Sequence, residues 1–135
     1  MFDITKVAVV DTAPIHLKDA DGVLLFEDGN PVRIVVYGPG SSQFAEVEAR
    51  QTARAVKRMQ DNDGKVTLPS PEVRTAEQAD DLAALTVSFE NLTYPPAADK
   101  QGAELFKALY KDPKLGFVTQ QIQKAITSWG NFKPG

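Results

Sequence analysis

The sequence contains no cysteine, which excludes a disulfide framework, a thiol nucleophile and a thiolate metal site. Stability has to come from packing, and such a chain suits a reducing cytosol. His16 is the single histidine, so a Ser-His-Asp triad would have to be built around it, yet it lies in a predicted strand with no nucleophile motif nearby. It reads as a core-edge or surface histidine. Positive charge is also scarce: 15 Lys and Arg stand against 18 Asp and Glu, for a formal net charge of -3. Neutralising phosphates needs a clustered positive excess, so nucleic acid is not an expected partner. No apolar run approaches the ~18 residues of a membrane span, and Met1-Phe2-Asp3-Ile4-Thr5-Lys6 lacks a basic region followed by a long apolar one. These absences predict a soluble intracellular protein with no membrane partner. In that setting Asn91-Leu92-Thr93 matches a glycosylation sequon only by coincidence.

What is present predicts a folded domain. The 135 residues are 42% hydrophobic and 24% charged, close to globular averages and enough for one core. The reading is a single α+β domain: a β-rich portion over 1–38 forming a small antiparallel meander, a helical portion over 39–132 with about four helices, and a frayed tail at 133–135. Val7-Ala8-Val9-Val10 is an edge strand or an arm lying on a partner. Ile15-His16-Leu17-Lys18 alternates as a half-covered strand does, and Asp19-Ala20-Asp21-Gly22 turns the chain. Val23 to Phe26 is a second apolar run, followed by the turn Glu27-Asp28-Gly29-Asn30-Pro31. Val32 to Tyr37 is the strongest strand, with Val32, Ile34 and Val36 on one side.

Gly38-Pro39-Gly40-Ser41 then breaks the sheet, and Ser41 or Ser42 caps a helix from about Gln43 to Asp61, stopped by Asn62-Asp63-Gly64. Its predicted packing face is Ala45, Ala49, Thr52, Ala53, Val56 and Met59, which leaves Arg50, Arg54, Lys57 and Arg58 in solvent offsetting the helix dipole. Glu46 stands four residues before Arg50, in the favourable order for an ion pair. Lys65 to Pro71 is a loop, or a short extended piece at Val66-Thr67-Leu68. Thr75-Ala76-Glu77-Gln78 fits a capping box and opens a helix whose stripe, Ala79, Leu82, Ala83, Thr86, Phe89 and Leu92, runs to about Thr93 before Tyr94-Pro95-Pro96. Gly102 to Tyr110 is a further short helix. The clearest helix runs from a cap at Asp112, with Pro113 in its first position, to Gly130 in a left-handed stop. Leu115, Val118, Ile122, Ala125, Ile126 and Trp129 form its apolar stripe.

No catalytic, cofactor or metal site emerges from these elements. Asp19, Asp21, Glu27 and Asp28 suggest calcium, but Val23 occupies the fifth position of the loop, where an oxygen ligand is required. Gly38-Pro39-Gly40-Ser41 lacks the Gly-Lys-Ser/Thr ending of a phosphate loop. The acidic residues fall in turns, caps and helix surfaces, so no carboxylate pair stands out for acid-base work. Trp129 and Phe132 are either core anchors or partner contacts.

Three stretches together resemble the tail assembly chaperone family of long-tailed bacteriophages and prophages. The first is Ile15-His16-Leu17-Lys18, the turns at Asp21-Gly22 and Asp28-Gly29-Asn30-Pro31-Val32, and Tyr37-Gly38-Pro39-Gly40-Ser41. The second is Ala83 to Leu92, where Phe89 stands in place of the tryptophan common in that family. The third is Leu105 to Phe117, with Gln121-Ile122 following and Asn131-Phe132 at its close. The resemblance implies a non-enzymatic holdase of the host bacterial cytoplasm, absent from the mature virion. Its implied client is the long, apolar tape measure protein. Tail tube protein is the second implied partner, recruited through a frameshift-extended form of which this sequence would be the short product. On that reading amphipathic helices lay apolar stripes into grooves on the chaperone, copies self-associate along one client as a homo-oligomer, and Phe117, Ile126, Trp129 and Phe132 are the expected contact residues. The alternative is a structural tail or head-to-tail joining component.

Overall fold

The computed structural model describes residues 1–65 and 68–134, so Val66 and Thr67 of the anticipated extended piece, and Gly135 of the tail, lie outside the described residues. Four strands occupy the first part of the chain: β1 (Thr12–His16), β2 (Phe26–Glu27), β3 (Asn30–Pro31) and β4 (Arg33–Tyr37). They are not a simple meander. β1 pairs directly with β4, antiparallel, from Thr12 opposite Tyr37 to His16 opposite Arg33, while β2 and β3 form a separate two-stranded ribbon. At its base the Leu17 N–H donates to the Val32 carbonyl, and Leu25 and Val32 close a ring of main-chain bonds with it. The run Val7–Val10 supplies no strand. Ile4–Val7 is a 3-10 turn capped by Asp3, and the Val10 N–H donates to the Phe132 carbonyl at 2.8 Å. That segment lies on the chain's own C-terminal turn.

Four helices follow, and the α+β class holds: α1 (Ser42–Asp61), α2 (Pro71–Ala84), α3 (Gly102–Tyr110) and α4 (Gly116–Ile126). α1 starts where anticipated, because the Ser41 hydroxyl accepts from the Phe44 N–H. It ends where Asp63 and Gly64 turn left-handed. α2 begins a turn earlier than the capping box implied. Ser70 caps it and Pro71 takes the first position, a stronger start than Thr75, which lies inside the helix.

The largest departure lies between α2 and the prolines. Thr86–Glu90, anticipated as helix, is a strand, β5, and completes the sheet order β1-β4-β5. Thr86 and Val87 are β-branched and stiff in a helix, and the open edge of β4 supplies the ladder that satisfies their backbone. Arg33 opposite Glu90 and Ile34 opposite Phe89 fix the register, with an Arg33–Glu90 ion pair of 2.9 Å across the strands. At the helix-to-strand junction the Thr86 hydroxyl lies 2.7 Å from both the Leu82 carbonyl and the Tyr110 hydroxyl. Burial raises the Tyr110 phenol well above its usual range, and the Thr86 hydrogen bond opposes this in part.

α4 is also shorter than anticipated. Asp112 caps a 3-10 turn, Pro113–Leu115, before the helix proper, and α4 stops at Ile126 rather than Gly130. The stop is made by side chains. Thr127 and Ser128 hydroxyls donate to the Lys124 carbonyl, and the Asn131 amide donates to the Ala125 carbonyl, so the free carbonyls of the last turn are satisfied without a left-handed glycine.

α4 packs on β4, α3 on β5, and α2 on α3. The core between them centres on Leu17, Ile34, Val36, Ile122 and Phe132. Phe132 is the last large residue to enter it. A Cβ at Gly38 would come within 2.5–2.7 Å of Phe132 ring carbons, so only glycine leaves room for that ring. Gly38→Ala is accordingly expected to lose about 1–3 kcal/mol through overpacking, read as a lower urea midpoint at unchanged slope.

Candidate interaction surface

The expected contact residues separate into inside and outside. Ile126 is 2% exposed and Phe132 has no exposure; both are core residues and offer a partner almost no surface in the folded chain. Phe117 is half-buried against the same core. Trp129 is 57% exposed. It leaves the stripe predicted for it because α4 has ended three residues earlier, and the following 3-10 turn, Trp129–Phe132, redirects the chain.

Trp129 belongs to an apolar surface assembled from both termini. A Cβ at Gly40 would meet Trp129 Cζ3 at 3.6 Å and Val9 Cγ2 at 3.0 Å, which places the indole edge, Val9 and the turn before α1 side by side. Val10 next to it is exposed, and so are Phe2, Ile4 and Val7 in the preceding segment. A second exposed apolar group, Val23, Leu24 and Phe26, lies at and before the β2–β3 ribbon. Where apolar side chains at the surface lie side by side, as Trp129 and Val9 do, they mark interaction surfaces. Of the N-terminal group, the sequence marked only Val7–Val10, as an edge strand or an arm lying on a partner.

Polar side chains that invited a chemical reading have local structural roles. His16 Nε2 donates to the Leu25 carbonyl at 2.8 Å, and its ring meets Phe26 edge-on at 4.9 Å. Asp19 accepts the Asp21 and Val23 N–H groups within its own turn. Ser41 donates to the Gly38 carbonyl. Among the described residues no three of His, Asp and Glu are grouped so that they could hold a metal ion. No helix among them is long and apolar enough to cross a membrane.

One polar cluster is missing from the sequence reading altogether. Asp81 on α2 is 7% exposed and lies under α1. Arg54 clasps it with two bonds, Nη2 to Oδ1 at 2.7 Å and Nη1 to Oδ2 at 3.0 Å, while Arg50 and Gln51 donate to the same carboxylate. Arg58 pairs with Glu77 one turn away. Arg50, Arg54 and Arg58, anticipated in solvent, therefore reach α2, while Lys57 stays exposed as anticipated, and Arg50 pairs with Asp81 rather than Glu46. The face of small residues anticipated inside is exposed instead. Burial would raise the Asp81 carboxyl, but the bonds from Arg54, Gln51 and Arg50 outweigh it and hold the group below its ordinary value. Every acceptor position is used, so Asp81 fastens α1 and is not poised to move a proton.

Beside this clasp a cleft of about 560 Å³ opens between α1, α2 and α4, lined in part by Phe44, Leu82, Leu85 and Ile126. Its lining also carries Arg54, Arg58 and Arg74 with Glu77 and Asp81. The arrangement offers grooves and an exposed aromatic side chain for a macromolecular partner. No family model matches the chain, and no curated protein or solved structure matches it.

Proposed function

We propose that this chain is a tail assembly chaperone of the long-tailed phage type. It binds the apolar, helical tape measure protein and keeps it soluble in the host bacterial cytoplasm. It then helps recruit tail tube subunits, and is left out of the finished particle. The observation that carries the reading is the exposed apolar surface around Trp129, a large side chain left 57% exposed on a domain that has a separate, complete core. Trp is the residue type most often found at the energetic centre of protein interfaces, since its large rigid surface is covered at little entropic cost. Several such groups spread over one small domain suit a holdase, which needs many modest contacts that are later given up.

The test is co-expression with the tape measure protein encoded nearby, followed by size-exclusion chromatography with light scattering. A soluble complex is expected, with the client insoluble alone. Trp129→Ala is expected to weaken client capture about thirtyfold, from a loss of ~2 kcal/mol at an interface centre, while leaving the urea midpoint of the free chaperone unchanged. Recovery of this chain from purified particles, with no binding to the client, would overturn the proposal in favour of a structural tail or head-to-tail joining component.

A further inference from the structure

α1 presents two faces, and the fold uses one. Phe44, Val47, Gln51, Arg54 and Arg58 face the body of the protein. On the other side Ala45, Ala49, Thr52, Val56 and Met59 recur at steps of four, three, four and three residues and are all exposed, with Val56 at 48% and Met59 at 41%. At 3.6 residues per turn the two faces are roughly 140° apart, so the body does not obstruct the outer one. The alternating four-and-three spacing is that of a helix seam that packs against another helix over ~21 Å, and its small residues allow close approach.

Charge along the edges of the seam specifies the partner. Glu46 and Lys57 lie on the same flank, near opposite ends, and neither forms an ion pair among the described residues. Glu48 edges the N-terminal half on the other flank. In a parallel pair of two α1 helices Glu46 would face Glu48 of the other copy, a repulsive arrangement. In an antiparallel pair crossing at Thr52, Glu46 of each copy meets Lys57 of the other, the opposed dipoles attract, and Ala45 of each lies opposite Met59. The face is self-complementary in one orientation only.

We infer that the outer face of α1 is the interface between two copies of this chain, paired antiparallel about Thr52. The inference is independent of the identity of any client. A seam of five residues per copy covers less than the ~800 Å² per partner of a standard stable interface, so the dimer forms reversibly as concentration rises.

Absence of cysteine makes the geometry directly testable on the full chain. Thr52→Cys is expected to cross-link to itself under mild oxidation, at least tenfold faster than Lys100→Cys on an exposed loop. Ala45→Cys and Met59→Cys are each expected not to cross-link alone and to cross-link when mixed, because disulfide formation requires Cα atoms within ~7 Å. Glu46→Lys or Lys57→Glu alone is expected to weaken self-association about tenfold in sedimentation equilibrium, and the double exchange to restore it. All of these positions are exposed, so circular dichroism should remain that of the parent. Self-linking by Ala45→Cys as fast as by Thr52→Cys would overturn the antiparallel arrangement. A Thr52→Cys rate equal to that of Lys100→Cys, or no concentration-dependent dimer in the unmodified protein, would overturn the interface itself.

Discussion

Replacing Phe132 with alanine is expected to remove about 3–5 kcal/mol of stability, a large share of the ~5–15 kcal/mol that holds a domain of this size together. The ring has no exposure and rests against the Gly38 backbone, where a Cβ would already be too close. Its removal opens a cavity between the sheet and α4, which are fixed by their own packing and cannot collapse to fill it. Phe132 also holds the N-terminal segment through its carbonyl, which accepts from the Val10 N–H. Urea denaturation of Phe132→Ala and Phe132→Leu measures the effect. The leucine variant retains most of the volume and should lose less than half as much. A loss under about 1 kcal/mol in the alanine variant would mean that Phe132 is a contact residue and not part of the core.

The second large effect is expected at the clasp. Asp81→Ala leaves Arg54, whose side chain is 22% exposed, with only the longer 3.7 Å contact to Glu77, and leaves Arg50 with only a 3.4 Å bond to the Asp80 carbonyl. Breaking a buried pair from one side costs about 3–5 kcal/mol. Because Arg50 remains 45% exposed and can return to water, the lower end, about 3 kcal/mol, is expected here. The pH dependence has a definite sign. The native Asp81 carboxyl titrates below its ordinary value of 3.8, so the stability it contributes is complete above that value and is lost as pH falls through the lower native one. The difference in stability between the parent and Asp81→Asn should therefore be constant from neutral pH to about pH 5 and shrink below pH 4. A difference that stays the same down to pH 2.5 would show that the clasp owes nothing to the carboxylate charge.

Much of this architecture was legible in local residue chemistry. Ser41, Asp63 and Gly64 bound α1, and the alternation of Val32, Ile34 and Val36 marks the central strand; both signals act over a few residues and need no tertiary partner. The departures share a cause. Thr86–Glu90 has a periodicity that satisfies a helix stripe, and only the vacant edge of β4, far back in the chain, decides for strand. α1 misled in the opposite sense: Ala45, Ala49, Thr52, Val56 and Met59 are the more apolar face, yet the helix is held by arginines, because a buried aspartate on α2 awaits them. A pairing between Arg54 and Asp81 has no local signature. The same limit applied to the interaction surface. Ile126 and Phe132 carry the residue types of an interface and are spent on the core, while Trp129 escapes because Thr127, Ser128 and Asn131 end α4 early.

The placement of Phe132 also bears on the order of events during synthesis. All three strands of the main sheet have left the ribosome once Glu90 has emerged, but α3, α4 and Phe132 are still to come. Ile34 and Val36, fully shielded in the finished molecule, are then on an uncovered surface, and no amount of local structure can close it. Translation speed over the stretch between Glu90 and Phe132 thus sets how long a nascent chain carries a sticky, half-built sheet. In that interval it has the same need for a protective partner as the client proposed for it.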